Sequence, residues 1–139
     1  FYMNPLWEVR RIFVNYITMG LFDIFKTKKK VSGLSSYRYR GRWYGLMLCL
    51  GEESGRDMKD KLKDKGSELL TMLELSNEFP KDFEYVNQLL DLEKRYESND
   101  KYYSEDERQK EYMLGAIEAK KVYLNGKKWE LLLVDKDID

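Results

Sequence analysis

The segment Tyr37-Arg38-Tyr39-Arg40-Gly41-Arg42-Trp43-Tyr44 interleaves guanidiniums with large aromatic rings. Arginine grips phosphate through paired N–H donors and aromatic rings stack on unpaired bases, so this run has the chemistry of a nucleic-acid-binding module. Lys28, Lys29 and Lys30 lie just upstream, and from Lys26 to Arg42 there are seven cationic side chains and no anionic one. A plainer reading competes with that one. Strict alternation on a strand turns rings and arginines to opposite faces, which fills a core with the rings and leaves the arginines to solvent or to acids.

The second cluster has the opposite charge. Between Glu74 and Glu107 eleven carboxylates face only Lys81, Lys94, Arg95 and Lys101. Glu84, Asp91, Tyr96, Tyr102, Tyr103, Glu105 and Tyr112 fall in or beside this stretch. Tyrosines set among carboxylates suit a surface that covers a basic site on a protein partner, as inhibitor and immunity-type domains do. Each tyrosine also has a simple structural use, bridging core and water on a charged helix.

Catalytic chemistry has less to work with. The chain has no histidine, so no Ser-His or Cys-His pair can form and the usual near-neutral base is missing. No phosphate-cradling glycine loop or calcium-loop motif is present, and no cofactor or metal is expected. The single Cys49 rules out an internal disulfide; inside Leu46-Met47-Leu48-Cys49-Leu50 it reads as a buried thiol, and a reducing, cytoplasmic setting is expected. The acidic and basic totals balance at 25 each, so no global field selects a partner. These considerations favour a non-enzymatic domain that binds a protein partner, with nucleic acid as the alternative and a membrane-peripheral or structural role behind it.

The elements that must position these groups follow from periodicity. All 139 residues read as one domain. Asn4-Pro5 opens an amphipathic helix over 5–25, with Leu6, Val9, Phe13, Ile17, Leu21 and Ile24 at helical spacing. Residues 26–36 form a basic loop. Followed by Lys28–Lys30, such a helix could also rest on an anionic membrane surface, although its longest uncharged run is too short to span one.

From Tyr37 the period changes to two, and the segment 37–50 reads as a strand. Ser54 and Asp57 resemble a capping box that starts a helical stretch holding Met58, Leu62, Leu69, Met72 and Leu73. Pro80 starts another helix with Phe83, Val86 and Leu89 inward, and Ser104-x-x-Glu107 caps a last one. Asn125-Gly126 between apolar runs predicts a two-residue turn within a hairpin over 119–134. The expected fold is therefore α+β, a small antiparallel sheet of 37–50 and the hairpin packed with three to four helices.

Overall fold

The computed structural model describes residues 33–138. Its elements are α1 (Ser36–Glu53), α2 (Lys65–Glu78), α3 (Pro80–Arg95), the 3-10 turn η1 (Glu97–Tyr102), α4 (Glu105–Leu124) and the 3-10 turn η2 (Trp129–Leu133). Among the described residues there is no strand, and the fold is helical rather than α+β. The expected helix over 5–25 and all but the last residues of the basic loop lie outside the described residues.

The 37–50 strand is corrected to the body of α1. Ser35 caps it with an extended backbone, its hydroxyl accepting the Arg38 amide at 3.2 Å, and no proline interrupts the next four turns. Tyr39, Trp43, Leu46, Met47 and Leu50 then recur at helical spacing and are all buried. Arg38 and Arg42, one turn apart, take the flank that faces α4.

The 119–134 hairpin is corrected as well. Residues 119–124 finish α4, and Asn125-Gly126 ends that helix instead of reversing a strand. Gly126 has φ 101° and Lys127 φ 57°, and the Lys127 amide donates to the Val122 carbonyl at 2.9 Å. That bond is the signature of a Schellman cap. A type I′ turn and a Schellman cap both need left-handed backbone at the glycine, so the same dipeptide serves either. Beyond it, Trp129 is buried with its ring stacked on Tyr123 and its indole N–H on Asp82 at 3.1 Å.

Other boundaries follow the sequence. Ser104 and Glu107 form the full capping box of α4, at 3.2 and 2.8 Å. Pro80 is the first residue of α3, which buries Phe83, Val86 and Leu89. Ser54, in contrast, closes α1 rather than opening a helix, and α2 is capped by Asp64, whose carboxylate accepts the Ser67 amide at 2.8 Å. Met58 and Leu62 are buried from the intervening loop, while Leu69 and Leu73 point outward.

The core is built on the crossing of α1 and α4, which only small residues permit. A Cβ on Gly41 would lie 1.9 Å from the Tyr112 carbonyl oxygen, and one on Gly115 would lie 2.2 Å from the Arg38 carbonyl oxygen. Gly45 meets Ala116 and Ala119 in the same notch. The two backbones are in direct contact, and side chains on either flank are brought within hydrogen-bonding reach.

Candidate functional site

That close crossing assembles a cluster of buried polar side chains. Arg38 Nη2 donates to Glu111 at 2.8 Å, while its Nη1 reaches Glu118 at 3.2 Å and Asp137 at 2.6 Å. Arg42 Nε meets Glu118 at 2.8 Å, and its remaining nitrogens donate to the carbonyls of Leu132, Val134 and Lys136 at 2.7–2.9 Å. Ser35 Oγ adds a bond to Glu111 at 3.1 Å. The two arginine side chains are 2% and 0% exposed. Burial opposes the Arg38 charge, yet Glu111 and Glu118 outweigh it and raise its pKa above the ordinary arginine value.

These arginines act as a clamp on the end of the chain. The last described residues cross the α1–α4 seam: Asp135 accepts the Leu34 amide at 2.8 Å and the Tyr39 hydroxyl at 2.7 Å, and the Ile138 amide donates to Glu118 at 2.8 Å. Burying two guanidiniums against two carboxylates gives little net stability relative to an apolar core, but removing one member strands a charge. The network therefore selects one register of α1, α4 and the C-terminal segment.

Arg38, Arg40 and Arg42 are not brought to one face. Arg40 is half-buried on another side of α1, 3.8 Å from Glu93, while Arg38 and Arg42 are occupied by carboxylates and carbonyls. A phosphate could reach those two only by displacing Glu111 and Glu118. Lys28, Lys29 and Lys30 lie outside the described residues. In this arrangement both the rings and two of the arginines are interior, an outcome that strand-like alternation did not anticipate.

The acidic, tyrosine-rich set divides between surface and core. Tyr112 is buried edge-on against Tyr44 with ring centroids 5.5 Å apart, and burial raises its pKa well above the ordinary phenol value. Tyr103 is buried too, and burial pushes its phenol up to about 12. Tyr96 is half-buried, stacked on Tyr39 at 5.3 Å. Glu84 and Asp91 are exposed on the outer side of α3, and Glu105 is exposed at the start of α4. Tyr102 is exposed on η1, with Lys101 over its ring at 5.2 Å.

The segment that carries Tyr102 is held firmly. Asp100 accepts the Ser36 amide at 2.9 Å and the Ser36 hydroxyl, and its carbonyl takes two bonds from the Arg108 guanidinium at 3.2 and 2.8 Å. Asn99 donates to the Leu34 carbonyl at 3.1 Å. Tyr103, the next residue along, is anchored in the interior. Tyr102 is thus an exposed ring on a fixed mount, flanked in sequence by exposed Glu97, Glu105 and Asp106.

One further surface escaped the sequence reading. α2 buries only Glu68, Thr71 and Leu75, and it exposes Leu69, Leu70 and Leu73 to 58–59%. Helical periodicity alone places these leucines inside. The face of α2 that packs is instead the one carrying Glu68, Thr71 and Leu75.

Cys49 is buried, and burial pushes its thiol up to about 12, which makes it a poor nucleophile. Among the described residues no three Cys, Asp or Glu side chains converge as a metal site, and no helix is long and apolar enough to cross a membrane. Compared with protein-family models, curated proteins and solved structures, the chain matches none. An inhibitor or immunity role accordingly gains no support from any relative.

Proposed function

We propose that the chain is a non-enzymatic protein-binding domain that engages the basic surface of a cytoplasmic partner through the acidic edge carrying Tyr102. The observation behind this reading is the fixed presentation of that ring. An aromatic side chain on a pre-ordered mount loses little freedom on binding, and tyrosine is among the residues that most often dominate interface energetics. Glu84, Asp91, Glu97 and Glu105 are exposed on the same two consecutive helices and η1, and they supply negative charge to steer a cationic partner. Tyr103 and Tyr112 contribute indirectly, as anchors of η1 and α4.

Affinity capture from the native lysate, with and without nuclease, tests the proposal. The expected result is a stoichiometric protein that survives nuclease and is retained about 30-fold less well by a Tyr102→Ala, Glu105→Lys variant, the effect of losing roughly 2 kcal/mol at a hot spot. Capture that vanishes with nuclease, or that is indifferent to both substitutions, would remove the proposal.

A further inference from the structure

Residues 134–138 lie across the α1–α4 seam as a ligand lies in a groove. Trp129 and Leu132 are buried and fix η2, but residues 134–137 beyond them are exposed. Each bond that holds this strap runs through a side chain. Arg42 reaches the Val134 and Lys136 carbonyls at 2.7 Å each, so it reads extended backbone two residues apart, whatever side chains that backbone carries. Asp135 and Asp137 are read as side chains. The Asp135 carboxylate takes the Leu34 amide and the Tyr39 hydroxyl, and Gly33 leaves it room: a Cβ there would lie 2.5 Å from that carboxylate. The Asp137 carboxylate meets Arg38 Nη1 at 2.6 Å, and the Ile138 amide donates to Glu118 at 2.8 Å.

The receiving half of this contact is complete without the strap. Arg38 and Arg42 of α1 are balanced one for one by Glu111 and Glu118 of α4. Lifting the strap therefore strands no net charge in the interior. The only apolar side chains that leave with it are the exposed Val134 and the half-buried Ile138. A site that reads backbone carbonyls and two carboxylates through charged donors, preformed between rigid helices, has the features of a peptide-recognition groove.

We infer that the α1–α4 seam is a recognition site for an extended acidic protein segment of the pattern Asp-x-Asp, kept closed in cis by residues 134–138. The occupant is a segment of another protein rather than the strap of a second copy, because exchange between copies gains no bond that each strap lacks at home and forfeits the tether. A short tether holds the strap at an effective concentration of about 1 mM. For an intrinsic Kd of about 100 μM, in keeping with a short polar contact, the strap fills the seam roughly nine-tenths of the time. A competing segment then binds about tenfold more weakly than it would to an open seam.

Fluorescence anisotropy on the full chain, with a labelled peptide copying Leu133–Ile138, tests this. Asp135→Asn with Asp137→Asn opens the seam without touching the arginine–glutamate pairs. The opened chain should bind the peptide at about 100 μM and the wild type about tenfold more weakly. A peptide with asparagine in place of both aspartates should bind the opened chain at least about tenfold less well. The wild type supplies a readout that needs no variant: its Ile138 amide should exchange with only about tenfold protection, far below the amides of α1. An opened chain that keeps its helicity yet takes up no peptide at about 1 mM overturns the inference. So do peptides bound alike with and without aspartate, a wild type that binds as well as the opened chain, or an Ile138 amide protected like α1. Wild-type dimers that exchange the strap, seen by sedimentation, overturn it too. None of these outcomes bears on the Tyr102 edge.

Discussion

Replacing Gly41 by alanine tests the α1–α4 crossing most directly. The new methyl group would sit 1.9 Å from the Tyr112 carbonyl oxygen, 2.8 Å from its carbon and 3.0 Å from the Ala116 nitrogen. Real contacts of this kind do not fall below 3.0 Å, so α1 and α4 must separate by about an ångström, and the obstacle is backbone that cannot rotate away. That separation loosens more than packing. Arg38–Glu111 and Arg42–Glu118, both 2.8 Å, span the same gap and would be stretched beyond hydrogen-bonding length. Overpacking costs roughly 1–3 kcal/mol, and each weakened charged bond adds up to about 1.5–3 kcal/mol. Alanine returns only about 1 kcal/mol through its better helix propensity. The expected net loss is at least ~3 kcal/mol, a large part of the 5–15 kcal/mol typical of a domain.

Gly66 provides the internal control for that experiment. It also lies in a helix, but its nearest neighbour on the Cβ side is the Asp64 carboxylate at 3.5 Å, so Gly66→Ala should gain up to about 1 kcal/mol. Urea unfolding followed by far-ultraviolet circular dichroism resolves both. With a slope of roughly 1–3 kcal/mol per molar, Gly41→Ala should lower the midpoint by about 1–3 M while Gly66→Ala raises it slightly. If Gly41→Ala proves as stable as the wild type, the two backbones do not touch and the described crossing is wrong.

Two further outcomes are expected. Arg42→Met should destabilise by roughly 3–5 kcal/mol, because Glu118 loses its Nε partner in the interior, and amides in 134–138 should lose exchange protection before those of α1; a loss under about 1 kcal/mol would mean the clamp is incidental. For Glu93, burial raises the pKa above its ordinary 4.5, with the Trp43 indole bond at 2.6 Å and Arg40 opposing the rise. A raised folded value means the protonated form is favoured by folding. That contribution is complete below pH 4.5 and is lost as pH rises through the higher folded value. Glu93→Gln should therefore gain stability relative to wild type as pH is raised from 4.5 toward neutrality; a constant difference between the two unfolding curves would refute the shift.

Much of the helical frame was legible because its signals are local. The Ser104–Glu107 box and Pro80 each act within one turn, and each marks the start of the helix it suggested. Tertiary demands were less visible. α4 buries Glu107, Lys110, Glu111 and Glu118 alongside Tyr112, Met113 and Val122, so its inward face does not read as apolar. Glu111 and Glu118 are interior with Arg38 and Arg42 arriving from α1, 76 residues away for the Arg42–Glu118 pair. No local rule pairs them. The same blindness put Tyr103 and Tyr112 on the expected binding surface, since a tyrosine among carboxylates looks alike whether its ring faces water or the interior. For α2 the error ran the other way. Its leucines have core-like spacing, and only the identity of the packed face, Thr71 and Leu75, shows that they are outside.

The misreading of 37–50 has a sharper cause. Positions four apart share a face both on a strand of period two and on a helix of period 3.6, so Arg38 with Arg42 and Tyr39 with Trp43 satisfy either geometry. Position 40 is what separates them. A strand puts Arg40 beside Arg38 and Arg42, whereas a helix turns it some 200° away from Arg38. The structure shows the second arrangement, with Arg40 at Glu93 and the other two at Glu118. Gly41 and Gly45 are also four apart, and on a helix that spacing cuts a notch wide enough for a second backbone. A strand leaves the two glycines as a weakness without a purpose, while a helix uses both in the crossing with Gly115, Ala116 and Ala119. Glycine pairs at this spacing beside arginines at this spacing are thus evidence for close-packed helices joined by buried ion pairs, and they weigh against a strand even where the residues alternate.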